Sequence, residues 1–151
     1  ELAVVLGKDA RDVPAGQTRD YIFGYTILND VSARDVQTAH KQWYFGKSLD
    51  GFTPIGPCIV TADAFADYPP RLGIRSFVNG EKRQDSNTAL QIFDIDHVIA
   101  ELSQGMTLKA GTIIATGTPA GVGMDPPQFL KPGDVVRCEI DGIGTLTNPV
   151  K

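Results

Sequence analysis

Histidine and cysteine are nearly absent from this sequence, two of each, and that scarcity removes several kinds of chemistry at the outset. With His40 and His97 as the only imidazoles and no Cys/His cluster, neither a zinc site nor an imidazole-based triad is expected. Cys58 and Cys138 stand far apart without metal-ligand spacing, so they read as buried, reduced thiols, and redox chemistry is not expected. Basic charge is also short: 14 Lys and Arg face 18 Asp and Glu, for a formal charge of -4 and a pI near 5.0. Nucleic acid and anionic membrane surfaces need a basic patch that releases counterions, and this chain supplies none. Long apolar runs are missing too. No stretch approaches the roughly 20 residues of a membrane span, and no signal-peptide series is present. The expectation is a cytoplasmic protein.

What remains is a chain with 42% hydrophobic and 21% charged residues, long enough to bury one core, and the expectation is a single domain over 1–151. Glu1 opens directly into Leu2-Ala3-Val4-Val5-Leu6-Gly7 with no Met, cap or flexible lead. This reads as a chain cut in mid-strand, lacking its N-terminal portion, with an exposed strand edge that a preceding segment is expected to cover or pair.

Strands are expected over Leu2 to Gly7 and Asp20 to Leu28, both rich in β-branched and aromatic residues, with a loop at Pro14-Ala15-Gly16 between them. Ser32-Ala33-Arg34-Asp35 has the Ser-x-x-acid form of a capping box and predicts a short helix toward His40, which puts Asp30 at a strand-to-helix corner. Cys58 to Thr61 and Thr112 to Thr116 read as further strands, the second buried, and Pro69-Pro70 as a connector. Asn79-Gly80 after Ile74 to Val78, and Asp141-Gly142 after Val135 to Ile140, suit type I′ hairpin turns. Ile95, Val98, Ile99 and Leu102 follow the i, i+3, i+4, i+7 pattern of a helix with Asp94 as N-cap and Gly105 as stop, one face laid on the sheet.

Oxygen ligands are the remaining route to a metal. Asp30 follows an apolar strand at a corner where a carboxylate can point into a cleft, although such a residue also serves as a turn or cap acid. Arg34 and Gln37 are three apart on the short helix with Lys41 one turn on, so the three share a face near Asp30, a face that spacing alone leaves merely solvated. His40 reads as a helix-end cap or a partner of Trp43, and His97 as an exposed or satisfied histidine. The loop Gly117 to Gly123 is glycine-rich but lacks the Gly-Lys-Ser/Thr ending of a phosphate loop.

The runs Glu1-Leu-Ala-Val-Val-Leu-Gly-Lys8, Gly24-Tyr-Thr-Ile-Leu-Asn-Asp-Val-Ser-Ala-Arg-Asp-Val-Gln37, Gly46-Lys-Ser-Leu-Asp50, Pro54-Ile-Gly-Pro57 and Thr116-Gly-Thr-Pro-Ala-Gly-Val-Gly123 closely resemble, in order and spacing, the fumarylacetoacetate hydrolase family. The resemblance continues to the Gly144-Thr-Leu-Thr-Asn-Pro-Val150 ending. It implies a mainly β (α+β) fold, a mixed β-sandwich roll with a few short helices, and a homodimer. It also implies Mg²⁺, or Mn²⁺ or Ca²⁺, held by a Glu-x-Glu pair and a later Asp, which carry over to Glu1 and Asp30. The first glutamate of the pair and the His/Glu acid-base pair of an N-terminal lid have no counterpart in this chain. Arg34, Gln37, Lys47 and Thr118 carry over as substrate-binding residues, and Lys47 as the catalytic cation, whose bland alternative is a surface lysine. Thr118 or loop amides would meet a substrate carboxylate, unless the loop is a plain tight turn.

The implied activity is a C–C bond hydrolase, isomerase or decarboxylase. Its substrate would be a small 2-oxo or 1,3-diketo acid of the acylpyruvate, fumarylpyruvate or 2-hydroxyhepta-2,4-diene-1,7-dioate type, acted on through a metal-stabilised enolate. The rival expectation is a non-catalytic family member or fragment that serves as a dimerisation or ligand-binding scaffold.

Overall fold

A computed structural model describes every residue except His40 and Asp125; the reading of His40 as a cap or Trp43 partner lies outside the described residues. Among the described residues, eight strands form two four-stranded sheets, and every ladder between them is antiparallel. The first sheet holds β1 (Leu2–Leu6), β2 (Ile22–Leu28), β3 (Ile55–Thr61) and β6 (Ile113–Ala115) in the order β3-β2-β1-β6. The second holds β4 (Gly73–Val78), β5 (Glu81–Asn87), β7 (Val135–Ile140) and β8 (Gly144–Pro149) in the order β5-β4-β7-β8. The α-helices among the described residues are α1 (Arg34–Ala39) and α2 (Ile95–Gly105). This is the β-rich sandwich with few short helices that the motifs imply.

The core lies between the sheets. Leu2, Val4, Leu6, Tyr25 and Ile27 from the first sheet meet Ile74, Val136, Cys138, Ile140 and Leu146 from the second, and Ile95 and Ile99 of α2 join the same cluster. All five residues of β1 are buried, which explains why the strand is an unbroken apolar run without alternation: a centrally placed strand covered on both faces has no solvent side to mark with polar residues. It is not an exposed edge, contrary to expectation, because β2 pairs with one side and β6 with the other. Those partners lie 16 to 112 residues downstream (Leu6 with Ile22, Ala3 with Ala115), beyond the reach of any local pattern.

Several elements differ from expectation in instructive ways. The strand expected from Asp20 begins at Ile22, since Thr18–Tyr21 forms a 3-10 turn. Thr18 is buried there and donates to Asp96 Oδ1 at 2.6 Å. Because that carboxylate only accepts, the Tyr68 hydroxyl must donate to Thr18 in turn. The hairpin at Asn79-Gly80 has positive φ at both residues, 51° and 84°, as a type I′ turn requires. The second hairpin is different. Ile140 pairs with Gly144, and Ile143 N bonds to Ile140 O at 3.1 Å. Only Gly142 of the central pair has positive φ, the φ pattern of a type II turn in a three-residue loop.

Helix α2 is capped as expected, Asp94 Oδ1 accepting from His97 N at 2.8 Å. Its buried face, however, is Ile95, Ile99, Ala100 and Ser103, with Leu102 exposed. The Ser103 hydroxyl is used inward, accepting from Val13 N at 3.1 Å and donating to Ala100 O at 3.1 Å. His97 stacks on Phe93 with ring centroids 4.7 Å apart. In β6 only Ile114 is buried, so that strand alternates and is not buried throughout. Cys138 is buried, whereas Cys58 sits exposed on the edge strand β3, correcting the reading of two buried thiols. No helix among the described residues is long and apolar enough to cross a membrane.

Candidate active site

The first sheet gathers four chain segments at one end. Glu1 precedes β1, and its backbone nitrogen and carbonyl both bond to Leu28, the last residue of β2, at 2.7 and 3.0 Å. Asp30 lies two residues beyond. The start of β3 is tied to the same corner by Asn29 N to Pro54 O at 3.0 Å. At the end of β6, Thr116 N reaches Leu2 O at 3.2 Å, and Gly117 N then donates to Glu1 Oε2 at 2.9 Å. Antiparallel pairing alone brings these positions together, since the start of β1 must lie beside the ends of β2 and β6.

Lys47 completes the group from a 3-10 turn, Phe45–Lys47. Its ammonium forms an ion pair with Asp30 Oδ2 and also donates to Ser32 Oγ at 3.2 Å. Its Nζ lies 6.0 Å from the Trp43 ring centroid, the outer limit of a cation–π contact. Burial pushes the Glu1 carboxyl above the usual carboxylate range and the Asp30 charge adds to this, while the Gly117 amide and Lys47 pull the other way. The result is a half-buried cluster of two carboxylates and one ammonium. A carboxylate held back from ionising by burial and by a second carboxylate is relieved by a bound cation, and carboxylate oxygens are hard donors. Glu1 and Asp30 therefore fit part of a hard-cation ligand set. Among the described residues no group of three or more His, Cys, Asp or Glu side chains could hold a metal ion, so a cation here would need ligands beyond this pair.

Arg34 and Gln37 are brought together, but with each other: Arg34 Nη1 donates to Gln37 Oε1 at 2.8 Å, and Gln37 is buried. Lys41 does not share their face, because α1 ends at Ala39 and Lys41 has φ of 58°. The link from α1 to Lys47 runs through backbone. Ala33 N donates to Gly46 O at 2.8 Å, and Gly46 packs so tightly on α1 that a Cβ there would lie 2.8 to 2.9 Å from Gln37 N, Cα and Cβ. Gly46→Ala is therefore expected to force the Lys47 turn away from α1, costing about 1–3 kcal/mol by overpacking. Thermal unfolding measures that cost. An unchanged melting temperature would mean the turn yields freely.

Thr118 is exposed in the loop after β6 and accepts from Gln84 Nε2 at 2.9 Å. That loop borders a cavity of about 540 Å³ whose lining includes Leu2, Gln91, Phe93, Thr116 and Gly117. Sequence reasoning missed Ser32 and Gln84. Ser32 was expected to cap α1; its hydroxyl instead accepts from Lys47 and donates to Asp30 O at 3.2 Å. A serine two residues past a candidate ligand is equally placed for either use, and only the approach of Lys47 decides between them.

Comparison with known proteins matches this arrangement to one family. The profile described as Fumarylacetoacetate (FAA) hydrolase C-terminal covers residues 1–151. An oxaloacetate tautomerase of Bacillus subtilis, YisK, is 49% identical over 152 residues, spanning 99% of this chain and 50% of that protein. Among solved structures, a fumarylacetoacetate hydrolase of Exiguobacterium antarcticum is 51% identical with a TM-score of 0.95, over 100% of this chain and 55% of that one. A 2-hydroxyhepta-2,4-diene-1,7-dioate isomerase of Mycobacterium marinum is 47% identical with a TM-score of 0.89, over 99% and 56%. The chain thus spans about half the length of the relatives it matches.

Proposed function

Since the chain belongs to the fumarylacetoacetate (FAA) hydrolase family, whose members are enzymes, we propose that it forms the enolate-stabilising half of an enzyme acting on small 2-oxo or 1,3-diketo acids. The observation that carries the reading is the Glu1, Asp30 and Lys47 cluster at the end of the first sheet. The named activities of the relatives, oxaloacetate tautomerase and 2-hydroxyhepta-2,4-diene-1,7-dioate isomerase, both concern a 2-oxo acid or its enol, which supports the substrate class.

Glu1 and Asp30 would hold a divalent cation, Mg²⁺ or a similar hard ion. When bound, such an ion supplies positive charge toward the oxygens of a 2-oxo acid and lowers the energy of its enolate. The Glu1 carboxylate is kept in place by the Gly117 amide. Lys47, half-buried and held by Asp30 and Ser32, presents an ammonium that can stabilise negative charge as it develops on the substrate oxygen. Arg34, fixed by Gln37, and Thr118 are the proposed contacts to substrate carboxylate, because guanidinium and hydroxyl groups both donate to such an anion.

The test is a product-resolved assay of the full-length protein with excess Mg²⁺, using oxaloacetate, an acylpyruvate and 2-hydroxyhepta-2,4-diene-1,7-dioate. Tautomerisation and isomerisation conserve mass, decarboxylation releases CO₂ and hydrolysis yields two carbon fragments. Turnover of at least one acid is expected. No turnover of any of them would reject the reading.

A further inference from the structure

Thr118 and Thr116 flank Gly117 in the same loop, and each hydroxyl accepts from a glutamine amide, but the two are left in different states. Thr116 Oγ1 accepts from Gln91 Nε2 at 2.8 Å and donates to the Leu2 carbonyl at 2.8 Å, so its proton is used. Thr118 Oγ1 accepts from Gln84 Nε2 at 2.9 Å and has no acceptor for its own proton among the described residues.

The direction of the Gln84 bond is fixed by its other partners. Gln84 sits on β5 opposite Ser76 of β4. Its Nε2 also donates to the Pro119 carbonyl at 2.9 Å, and its Oε1 accepts from Ser76 Oγ at 2.8 Å. A carbonyl only accepts, so the amino end of the amide must face the loop and the carbonyl end must face Ser76. Accepting from Gln84 turns the Thr118 proton away from the amide and polarises its O–H bond. The loop cannot easily swing to another partner. Gly117 is bonded to Glu1, and at Gly121, with φ of 100°, a Cβ would lie 2.2 Å from the Arg83 carbonyl.

We infer that Gln84 is a positioning residue that commits the exposed Thr118 hydroxyl to donating, so that this corner of the site selects a substrate group with an acceptor oxygen, a carboxylate or oxo group. The inference rests on the proposed role of Thr118 as a substrate contact. It adds a residue from the second sheet to a site otherwise built at the end of the first.

The experiment measures kcat, KM and melting temperature in the full-length, metal-loaded enzyme, with the oxo acid turned over best in the assay above. Thr118→Val removes the contact and is expected to raise KM about 10-fold or more, as for loss of a hydrogen bond to a charged group. Gln84→Glu reverses the bond, because the introduced carboxylate accepts the Thr118 proton. It is expected to raise KM by a similar factor with a smaller change in kcat, and to add little when combined with Thr118→Val. Its KM should fall again as pH is lowered, since the protonated carboxyl regains a donor. Gln84→Met, which cannot donate, is the second variant and should also raise KM. If Thr118→Val leaves KM unchanged, the substrate contact itself is removed from the proposed function. If Thr118→Val raises KM while both Gln84 variants alter only the melting temperature, Gln84 is scaffold and the inference is overturned.

Discussion

Replacement of Lys47 by methionine is expected to lower kcat by about 100- to 1000-fold, the range seen when one preorganised donor to a developing oxyanion is removed. The affinity for Mg²⁺ should hold or rise. Lys47 is ion-paired to Asp30, so in the resting site its ammonium competes with a cation for the same carboxylate, and its loss relieves that competition. In the reaction the ammonium faces charge that appears mainly in the transition state, and a group of that kind shows its loss in kcat more than in ground-state binding. Methionine keeps most of the apolar length of the lysine side chain, and the backbone contacts of the turn, Lys47 N to Tyr44 O at 3.1 Å and Thr53 Oγ1 to Lys47 O at 3.0 Å, do not use the side chain. Steady-state kinetics beside a calorimetric Mg²⁺ titration measures both effects. A normal kcat, or a variant that does nothing except unfold, would return Lys47 to the role of a structural cation.

How much of this was legible in the sequence depends on how far apart the partners lie. The Asn79-Gly80 hairpin and helix α2 with its Asp94 cap are set by residues within a few positions of one another, and both stand where their patterns place them. Asp141-Gly142 looks the same as Asn79-Gly80 in sequence. The register of β7 against β8 inserts Ile143 into the loop, and Ile143 is buried; burial of that side chain in the core outweighs the two-residue turn. Leu102 was expected inward by helical spacing, yet the loop at Val13 offers an amide to Ser103 and the helix buries its serine instead.

The site divides in the same way. Asp30 at a corner can be proposed from local pattern, but its meeting with Glu1 depends on the β1–β2 register, and its meeting with Lys47 on the packing of Gly46 against α1. Family motifs supplied those positions where spacing could not. Gln84 had no such signal, because its contact with Thr118 joins residues 34 apart across two sheets.

Asp30→Ala is expected to abolish divalent-metal binding, a loss of more than about 100-fold in affinity, since even residues behind a ligand commonly contribute 10- to 100-fold. The fold should survive, and the reason is visible in the corner's bonds. Asn29 N to Pro54 O at 3.0 Å, Val31 N to Asn29 O at 2.9 Å and Ser32 Oγ to Asp30 O at 3.2 Å hold the chain's path without the Asp30 side chain. That side chain touches Lys47. Its removal leaves the ammonium bonded to Ser32 and still partly open to water, with a quarter of the Lys47 side chain exposed, so the cost to stability should be about 1–3 kcal/mol, short of unfolding the domain. The electrostatic change at the metal position is larger. Two carboxylates and one ammonium carry a formal charge of -1; without Asp30 the charge is zero, and the remaining carboxylate, Glu1, is the one that burial already makes harder to ionise. Ligand count and ligand charge set the affinity of an oxygen site for a hard cation, and this substitution reduces both. The check is a calorimetric titration of the full-length variant with Mg²⁺ and Mn²⁺ beside its thermal melt. Native-like melting with metal heats at the level of buffer is the expected result, and an unchanged dissociation constant would remove Asp30 from the ligand set.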